Sequence, residues 1–241
     1  MDLAYILAIA AAFFLGLSKA GMKGLGIVVV VLMAKSTGAK ASTGLLLPLL
    51  IVGDILAVLY YSRFAKWKYL IRFMPPMVVG VIVAAVFGGN LDEKSFKMWM
   101  AGIVIVSVII LFWRDLKAER EYPKNPLFAW SMGIAAGFTT MIGNLAGAFS
   151  NMYFLATQLP KNQIIATSAW VFFLINLFKL PIHIFSWETI TMASFIQDLY
   201  LIPGVLIGFA AGLQLVKLFT EEWYRRFLLF ATAVGAIAIL F

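Results

Sequence analysis

A glycine-rich stretch that carries two lysines is the part of the sequence best suited to bind a charged ligand. It reads GLSKAGMKGLG at positions 16–26 and places Lys19 and Lys23 among four glycines, inside a region that is otherwise apolar. A lysine without a partner inside a bilayer costs at least about 2.5–3.5 kcal/mol, so it requires a counter-charge, a water-filled cavity or a path for its ammonium to the surface. We expect at least one of these lysines to contact an anion.

A second glycine-containing stretch, TTMIGNLAG at positions 139–147, offers neutral hydrogen-bond donors. A helix that begins after such a break presents unpaired backbone N–H groups, which favour an anion. Glycine also permits unusual backbone angles and close approach at these positions. The sequence therefore predicts a substrate-binding site formed by Ser18, Lys19, Lys23, Thr139, Thr140, Asn144 and Lys179.

Asp54 is the only acidic residue well inside an apolar run. It is either the counter-ion of a buried lysine or the proton acceptor of a coupled transport cycle, and the ion pair is favoured because buried pairs are commoner than proton relays. The chain has one histidine and no cysteine, and it contains neither H-E-x-x-H nor G-x-S-x-G. We therefore expect no catalytic residues, no metal site and no cofactor.

The composition indicates an integral membrane protein, because 63% of the residues are hydrophobic and only 12% are charged. Backbone groups in hydrocarbon must be paired within the chain, so apolar runs without strand-like alternation predict helices. The net charge of +8 follows from the placement of basic residues in loops and does not indicate a nucleic-acid partner. The apolar runs cover 44–61, 73–89, 98–113, 127–138, 145–158, 163–182, 194–213 and 227–241.

The basic residues also predict a topology, since they accumulate on the cytoplasmic side of membrane proteins. Segments 62–72 and 114–126 carry four basic residues each, and 216–226 carries three. Segments 90–97 and 183–193 are then expected outside, together with both chain termini. This pattern is typical of a multi-pass protein of a prokaryotic inner or plasma membrane.

The chain resembles itself, which predicts two repeats of opposite orientation. Gly16 and Gly26 have the same spacing as Gly137 and Gly147, and ASTGLLLPLLIVGD aligns with ATSAWVFFLINLFK. We expect an all-α polytopic membrane protein with two inverted-topology repeats. Each repeat opens with a glycine-rich broken or re-entrant helix pair, whose break covers 18–25 in the first repeat and 139–146 in the second, and three spanning helices follow. The boundaries are 1–115 for the first repeat, 116–126 for a cytoplasmic linker and 127–241 for the second repeat.

Three segments carry a resemblance to a known family. GLSKAGMKGLG, LLPLLIVGDILAVLYYSRFAKWKYL and GNLAGAFSNMYFLATQLPKNQIIATSAWVFFLINLFKLP resemble the TauE/SafE sulfite exporter family, also called TSUP, over nearly the whole chain. Members of that family are membrane carriers associated with sulfite, sulfoacetate and other small anions. The resemblance implies anion transport with a preference for sulfur-containing substrates.

We therefore expect a secondary transporter of small, sulfur-containing anions that works by alternating access, with the substrate between the two breaks. An anion-selective channel is the alternative, because the same electropositive helix ends could line a pore. A membrane scaffold is a third interpretation. The expected partners are a small anion, the lipid bilayer and, as a coupling ion, protons. The sequence leaves the exact substrate, the direction of transport and the oligomeric state open.

Overall fold

The computed structural model describes residues 3–22, 24–116 and 125–218, which are helical and contain no strand. The helices of the described part are α1 (Leu3–Lys19), α2 (Leu25–Thr37), α3 (Ala39–Tyr61), α4 (Trp67–Gly89), α5 (Glu93–Leu116), α6 (Pro126–Gly143), α7 (Gly147–Ala156), α8 (Lys161–Pro181) and α9 (Met192–Leu218). A short 3-10 turn, Ser62–Phe64, continues α3, and a π-helical turn, Ile182–Ser186, continues α8.

Several of these helices are long and apolar enough to cross a bilayer. Five segments within the described ranges meet that condition: Ala39–Phe64, Trp67–Gly89, Pro126–Gly143, Asn162–Ser186 and Met192–Leu215. Helices α1, α2 and α7 have 17, 13 and 10 residues, fewer than the roughly 20 residues of a spanning helix. The prediction of an all-α, multi-pass membrane protein is confirmed for the described residues.

Both breaks are shorter than the sequence predicts. The first separates Lys19 from Leu25 and the second separates Gly143 from Gly147, whereas the sequence placed them at 18–25 and 139–146. Thr139 lies inside α6, where its hydroxyl donates to the carbonyl oxygen of Ala135, one turn earlier in the same helix, at 2.8 Å.

The second break begins at Asn144, whose left-handed backbone (φ 54°) ends α6. In the first break Gly24 is left-handed as well (φ 104°), a conformation that glycine adopts without steric cost. Each break is therefore a sharp turn of only a few residues between two helices.

Helices α3 and α8 pack together and run antiparallel. The N–H of Lys66, just after α3, donates to the hydroxyl of Thr167 near the start of α8, at 2.9 Å. At the opposite end, Gly44 near the start of α3 lies against Thr189, which follows α8. The two central helices therefore face each other along most of their length.

Helix α1 packs against α9 through small residues, and the two helices run parallel. Gly204 lies beside Ala12, and Gly212 lies beside Ala20. A side chain at Gly16 would overlap the backbone of α9, so the close approach of the two helices depends on that glycine.

Helices α6 and α4 pack in the same way. Gly133 lies against Pro76, and Gly137 lies against the backbone of Met77 and Val81, so these helices are also parallel. A side chain at Gly137 would overlap α4. The outer helices of the described bundle are thus held by two parallel, glycine-mediated contacts.

The segments 90–97 and 183–193, which the sequence places on one side of the membrane, lie at the same end of the bundle. The indole N–H of Trp187 donates to the carbonyl oxygen of Ala85, near the end of α4, at 3.0 Å. Helices α3 and α9 begin at this end as well, because Thr37, Lys40, Ser194 and Gln197 border one surface depression. Which end faces the cytoplasm stays a prediction.

Two parts of the predicted plan lie outside the described residues. They are most of the linker, at 117–124, and the segment 219–241, which includes the expected last helix and part of the basic segment 216–226. The division into domains at these boundaries therefore stays a prediction.

Candidate functional site

A cavity of about 170 Å³ lies where the two breaks meet the central helices. Both breaks, the adjoining starts of α2 and α7, and residues from α3, α5 and α8 form its wall. The polar and charged residues on that wall are Ser18, Lys19, Asp54, Ser107, Thr140, Asn144, Asn151, Ser168 and Asn176. Asp54 and Asn176 lie near the middle of the spans Ala39–Phe64 and Asn162–Ser186, so the cavity is deep in the bundle.

The two helices that follow the breaks begin at this cavity. Gly24 and Gly26 of the α2 start line the wall, as do Ala146, Gly147 and Ala148 of the α7 start. Neither helix has a side-chain cap. The N–H of Ile27 donates to the carbonyl oxygen of Gly24 at 3.3 Å, and the first-turn N–H groups without such a bond are available for a ligand. Each helix terminus also adds a partial positive charge, which favours an anion.

A glycine at each helix start faces open space. A methyl group added at Gly26 or at Gly147 would meet no other atom within 4 Å. Both glycines line the cavity, so the absence of their side chains leaves room for a ligand beside the backbone N–H groups.

Lys19, the last residue of α1, forms an ion pair with Asp54 of α3. The carboxylate is almost completely enclosed, with 1% of its side chain exposed, whereas the lysine side chain retains 14%. The ammonium of Lys19 also lies 5.5 Å from the ring centre of Phe172, a cation–π distance. Of the two partners, the cation is therefore the one within reach of a ligand in the cavity.

The second oxygen of Asp54 connects this ion pair to a buried polar network. It accepts a hydrogen bond from the side-chain amide of Asn176 at 2.7 Å. The carbonyl oxygen of the same amide accepts from the ammonium of Lys179 at 3.3 Å. Asp54 and the fully buried Lys179 are thus linked through one asparagine.

Oxygen atoms near the end of α6 and in the second break accept the other hydrogen bonds of Lys179. Its ammonium donates to the side chain of Asn144 at 2.6 Å and to the backbone carbonyl of Thr140 at 2.9 Å. Asn144 in turn donates to the carbonyl oxygen of Thr43 in α3 at 3.1 Å. An ammonium has three donors, and these acceptors together with Asn176 match them. The network therefore fixes the second break against both central helices.

The structure brings together most of the residues that the sequence selects for the site. Ser18, Lys19, Thr140 and Asn144 line the cavity, together with Asp54. Their contribution to substrate binding stays a prediction.

The other selected residues are placed differently. Thr139 is buried and its hydroxyl is bonded within its own segment, and Lys179 lies behind Asn144 and Asn176, so neither residue is part of the cavity wall. Lys23 lies outside the described residues.

Sequence reasoning did not assign four polar residues of the wall to the site: Ser107, Asn151, Ser168 and Asn176. Only Asn176 had a signal, because it precedes Lys179 by three positions and therefore shares its helix face. Within residues 3–22, 24–116 and 125–218, no group of three or more acidic or histidine side chains could hold a metal ion.

Comparison with known proteins identifies the family of this chain. The family described as "Sulfite exporter TauE/SafE" matches residues 6–239. The chain belongs to that family. The resemblance of the three sequence segments is thereby confirmed, and the TauE/SafE membership together with the apolar helices long enough to span a bilayer indicates a multi-pass membrane protein.

One curated relative of this TauE/SafE protein is named as a transporter. The chain is 25% identical over 217 residues to the Major facilitator superfamily multidrug transporter mfsC of Aspergillus fumigatus. The match covers 87% of this chain and 37% of the fungal protein, so the chain spans little more than a third of that relative. No solved structure matches the chain.

Proposed function

We propose that this protein is a secondary transporter of small sulfur-containing oxyanions, such as sulfite or an organosulfonate, and that it works by alternating access. The proposal depends above all on one observation. Two helix starts without side-chain caps lie on the wall of one cavity deep in the bundle, and Lys19 lies on the same wall. Backbone N–H groups, a helix dipole and a lysine all stabilise negative charge. The family description supports sulfur oxyanions as the substrate class.

The formal charge of the buried network supports an anionic substrate. Within the described residues, Lys19 and Lys179 supply two positive charges and Asp54 supplies one negative charge. A charge in a low-dielectric interior is stable only when it is paired, so one positive charge remains to be balanced. A bound anion supplies that balance: a monoanion while Asp54 is ionised, and a dianion such as sulfite when Asp54 is protonated.

Inverted repeats are the second part of the proposal, and the packing supports them. The helices correspond as α1 to α6, α3 to α8 and α4 to α9. Gly137 follows Gly16 by 121 positions and Val205 follows Met77 by 128, so the contact between Gly16 and Val205 corresponds to that between Gly137 and Met77.

The direction of the helices supports the same plan. Helix α3 runs antiparallel to α8, α1 runs with α9, and α6 runs with α4. Because α9 starts at the same end as α3, whereas α4 ends there, α4 and α9 also run in opposite directions. Corresponding helices are therefore inverted, as in many secondary transporters whose substrate site lies between the repeats.

We propose that the substrate competes with Asp54 for Lys19. When an oxyanion accepts a hydrogen bond from the Lys19 ammonium, the Asp54 carboxylate loses its charged partner and keeps the bond from Asn176. An enclosed carboxylate without a counter-ion takes up a proton instead. Lys19 and Lys179 are the charged groups that face Asp54, so this exchange would couple one proton to each anion.

Uptake of radiolabelled sulfite into proteoliposomes tests the function, with protein-free vesicles as control. For a carrier, unlabelled sulfite inside the vesicles should accelerate uptake, because the loaded site returns faster than the empty one. An absence of uptake for sulfite and sulfoacetate would contradict the substrate class. Uptake that internal substrate does not accelerate, with single-channel currents, would favour the anion channel. The labelled substrate that is recovered from the vesicles after uptake should be chemically unchanged, as expected for a protein that is not an enzyme.

A further inference from the structure

Ser107 is a buried polar residue that the proposed mechanism does not yet use. It lies in the middle of α5, a helix that does not adjoin either break, and only 1% of the residue is exposed. Its hydroxyl has no hydrogen-bond partner within residues 3–22, 24–116 and 125–218. Most serine hydroxyls inside a helix bundle donate to a carbonyl of their own helix, as Ser168 does to Ile165 at 3.0 Å. The hydroxyl of Ser107 is therefore available to a ligand.

The position of Ser107 connects it to the anion site. It lines the same cavity as the start of α7, where Ala146, Gly147 and Ala148 form the wall. The first helical bond of α7 runs from the N–H of Ser150 to the carbonyl of Ala146, at 3.0 Å. The N–H groups that precede this bond have no partner within the helix, so the wall offers backbone donors and a side-chain donor.

We infer that Ser107 is a specificity-determining residue that donates its hydroxyl hydrogen bond to one oxygen of the substrate. The backbone N–H groups at the start of α7 bind another oxygen. Donors from two helices suit an anion with several oxygen atoms, such as a sulfite or sulfonate group, better than a single-atom halide. This inference depends on the proposed function, because it concerns the same cavity.

Ser107→Ala tests the inference, with Ser150→Ala as the matched control. Ser150 also has a buried hydroxyl without a partner within the described ranges, but it is not part of the cavity wall. The measurements are sulfite uptake by proteoliposomes, kept free of oxygen, and the thermal stability of the detergent-solubilised protein with and without sulfite. A ligand that binds the folded state stabilises it by mass action.

For Ser107→Ala, the KM for sulfite should rise about 10-fold, since a hydrogen bond to a charged group is lost. The stabilisation by sulfite should shrink, whereas the melting temperature without ligand should not fall, because the missing hydroxyl had no partner. Ser150→Ala should keep the wild-type KM and the wild-type stabilisation. Chloride should inhibit sulfite uptake only weakly, and its inhibition constant should be the same in the wild type and in Ser107→Ala.

Three results would overturn the inference. A wild-type KM in Ser107→Ala would remove Ser107 from the site and leave the proposed function intact. If Ser150→Ala raises the KM for sulfite as much as Ser107→Ala does, the effect comes from a change in the fold and not from a contact with the substrate. If the wild type itself neither transports sulfite nor is stabilised by it, the proposed function fails, and the role of Ser107 fails with it.

Discussion

Lys19 and Asp54 are the residues on which the proposed mechanism depends. The sequence contains both in apolar segments, and the structure joins them as an ion pair with an enclosed carboxylate. Breaking a buried pair by removing one partner is far more costly than removing both, because the remaining charge is left without compensation. The pair therefore has a structural role that can be separated from its role in transport.

If the structural role of the Lys19–Asp54 pair is distinct from its role in transport, single and double variants should differ in stability and in transport. Lys19→Met should destabilise the protein by about 3–5 kcal/mol, because the Asp54 carboxylate keeps only its bond from Asn176. Lys19→Met combined with Asp54→Asn should recover most of that stability but should not transport sulfite. Unfolding of the solubilised protein and uptake by proteoliposomes measure the two effects. A double variant as unstable as the single one, or one that transports normally, would contradict the prediction.

At the scale of the element, the starts of α2 and α7 have equivalent roles in the proposed binding site. Each is short, follows a sharp break, and has a glycine that faces the open cavity. The glycine leaves space that a ligand can use, and alanine would fill part of that space without touching the protein. The same substitution can therefore remove binding without removing the fold.

Gly26→Ala and Gly147→Ala should each raise the KM for sulfite by about 10-fold, comparable to the effect of one methyl group in a small pocket. Neither variant should lower the melting temperature, because no atom lies within 4 Å of the added methyl group. Gly102→Ala is the matched control: its methyl group also meets no atom within 4 Å, and Gly102 is not on the cavity wall. Wild-type kinetics in Gly26→Ala and Gly147→Ala would show that the substrate does not approach these helix starts.

On the scale of the whole molecule, the packing of the helices determines which loops lie at the same end of the bundle. The segments 90–97 and 183–193 meet at one end of the bundle, and the segment 62–72 lies at the other end, beside the start of α8. The distribution of basic residues predicts that the second end faces the cytoplasm. Together, these two statements predict the orientation of the protein in the membrane.

Single cysteines test the orientation directly, because the chain contains none of its own. Lys94→Cys and Glu188→Cys should react with a membrane-impermeant maleimide added to intact cells. Lys68→Cys should react only after the membrane is permeabilised, and all three positions are exposed. Labelling of Lys68→Cys and Lys94→Cys from the same side would contradict the predicted topology.

The sequence by itself determined the class of the protein, the position of most helices and the family. It did so because a segment in hydrocarbon must pair its backbone groups locally, so an apolar run is sufficient to predict a helix. Glycine-rich breaks and buried lysines likewise indicated where an anion would bind. The breaks are shorter than predicted; at the second break, the Thr139 hydroxyl bonds within α6, so a threonine beside a glycine does not by itself mark the end of a helix.

Only the tertiary structure decided which side chains meet in the cavity. Asn176 reaches Asp54 across 122 positions of the chain, Ser107 joins the wall from α5, and Lys179 lies behind the wall with its donors occupied. These contacts depend on the rotation and depth at which helices pack. Hydropathy and charge do not specify either quantity, because many rotations bury similar apolar surface, whereas a hydrogen bond tolerates only a narrow range of distances and angles.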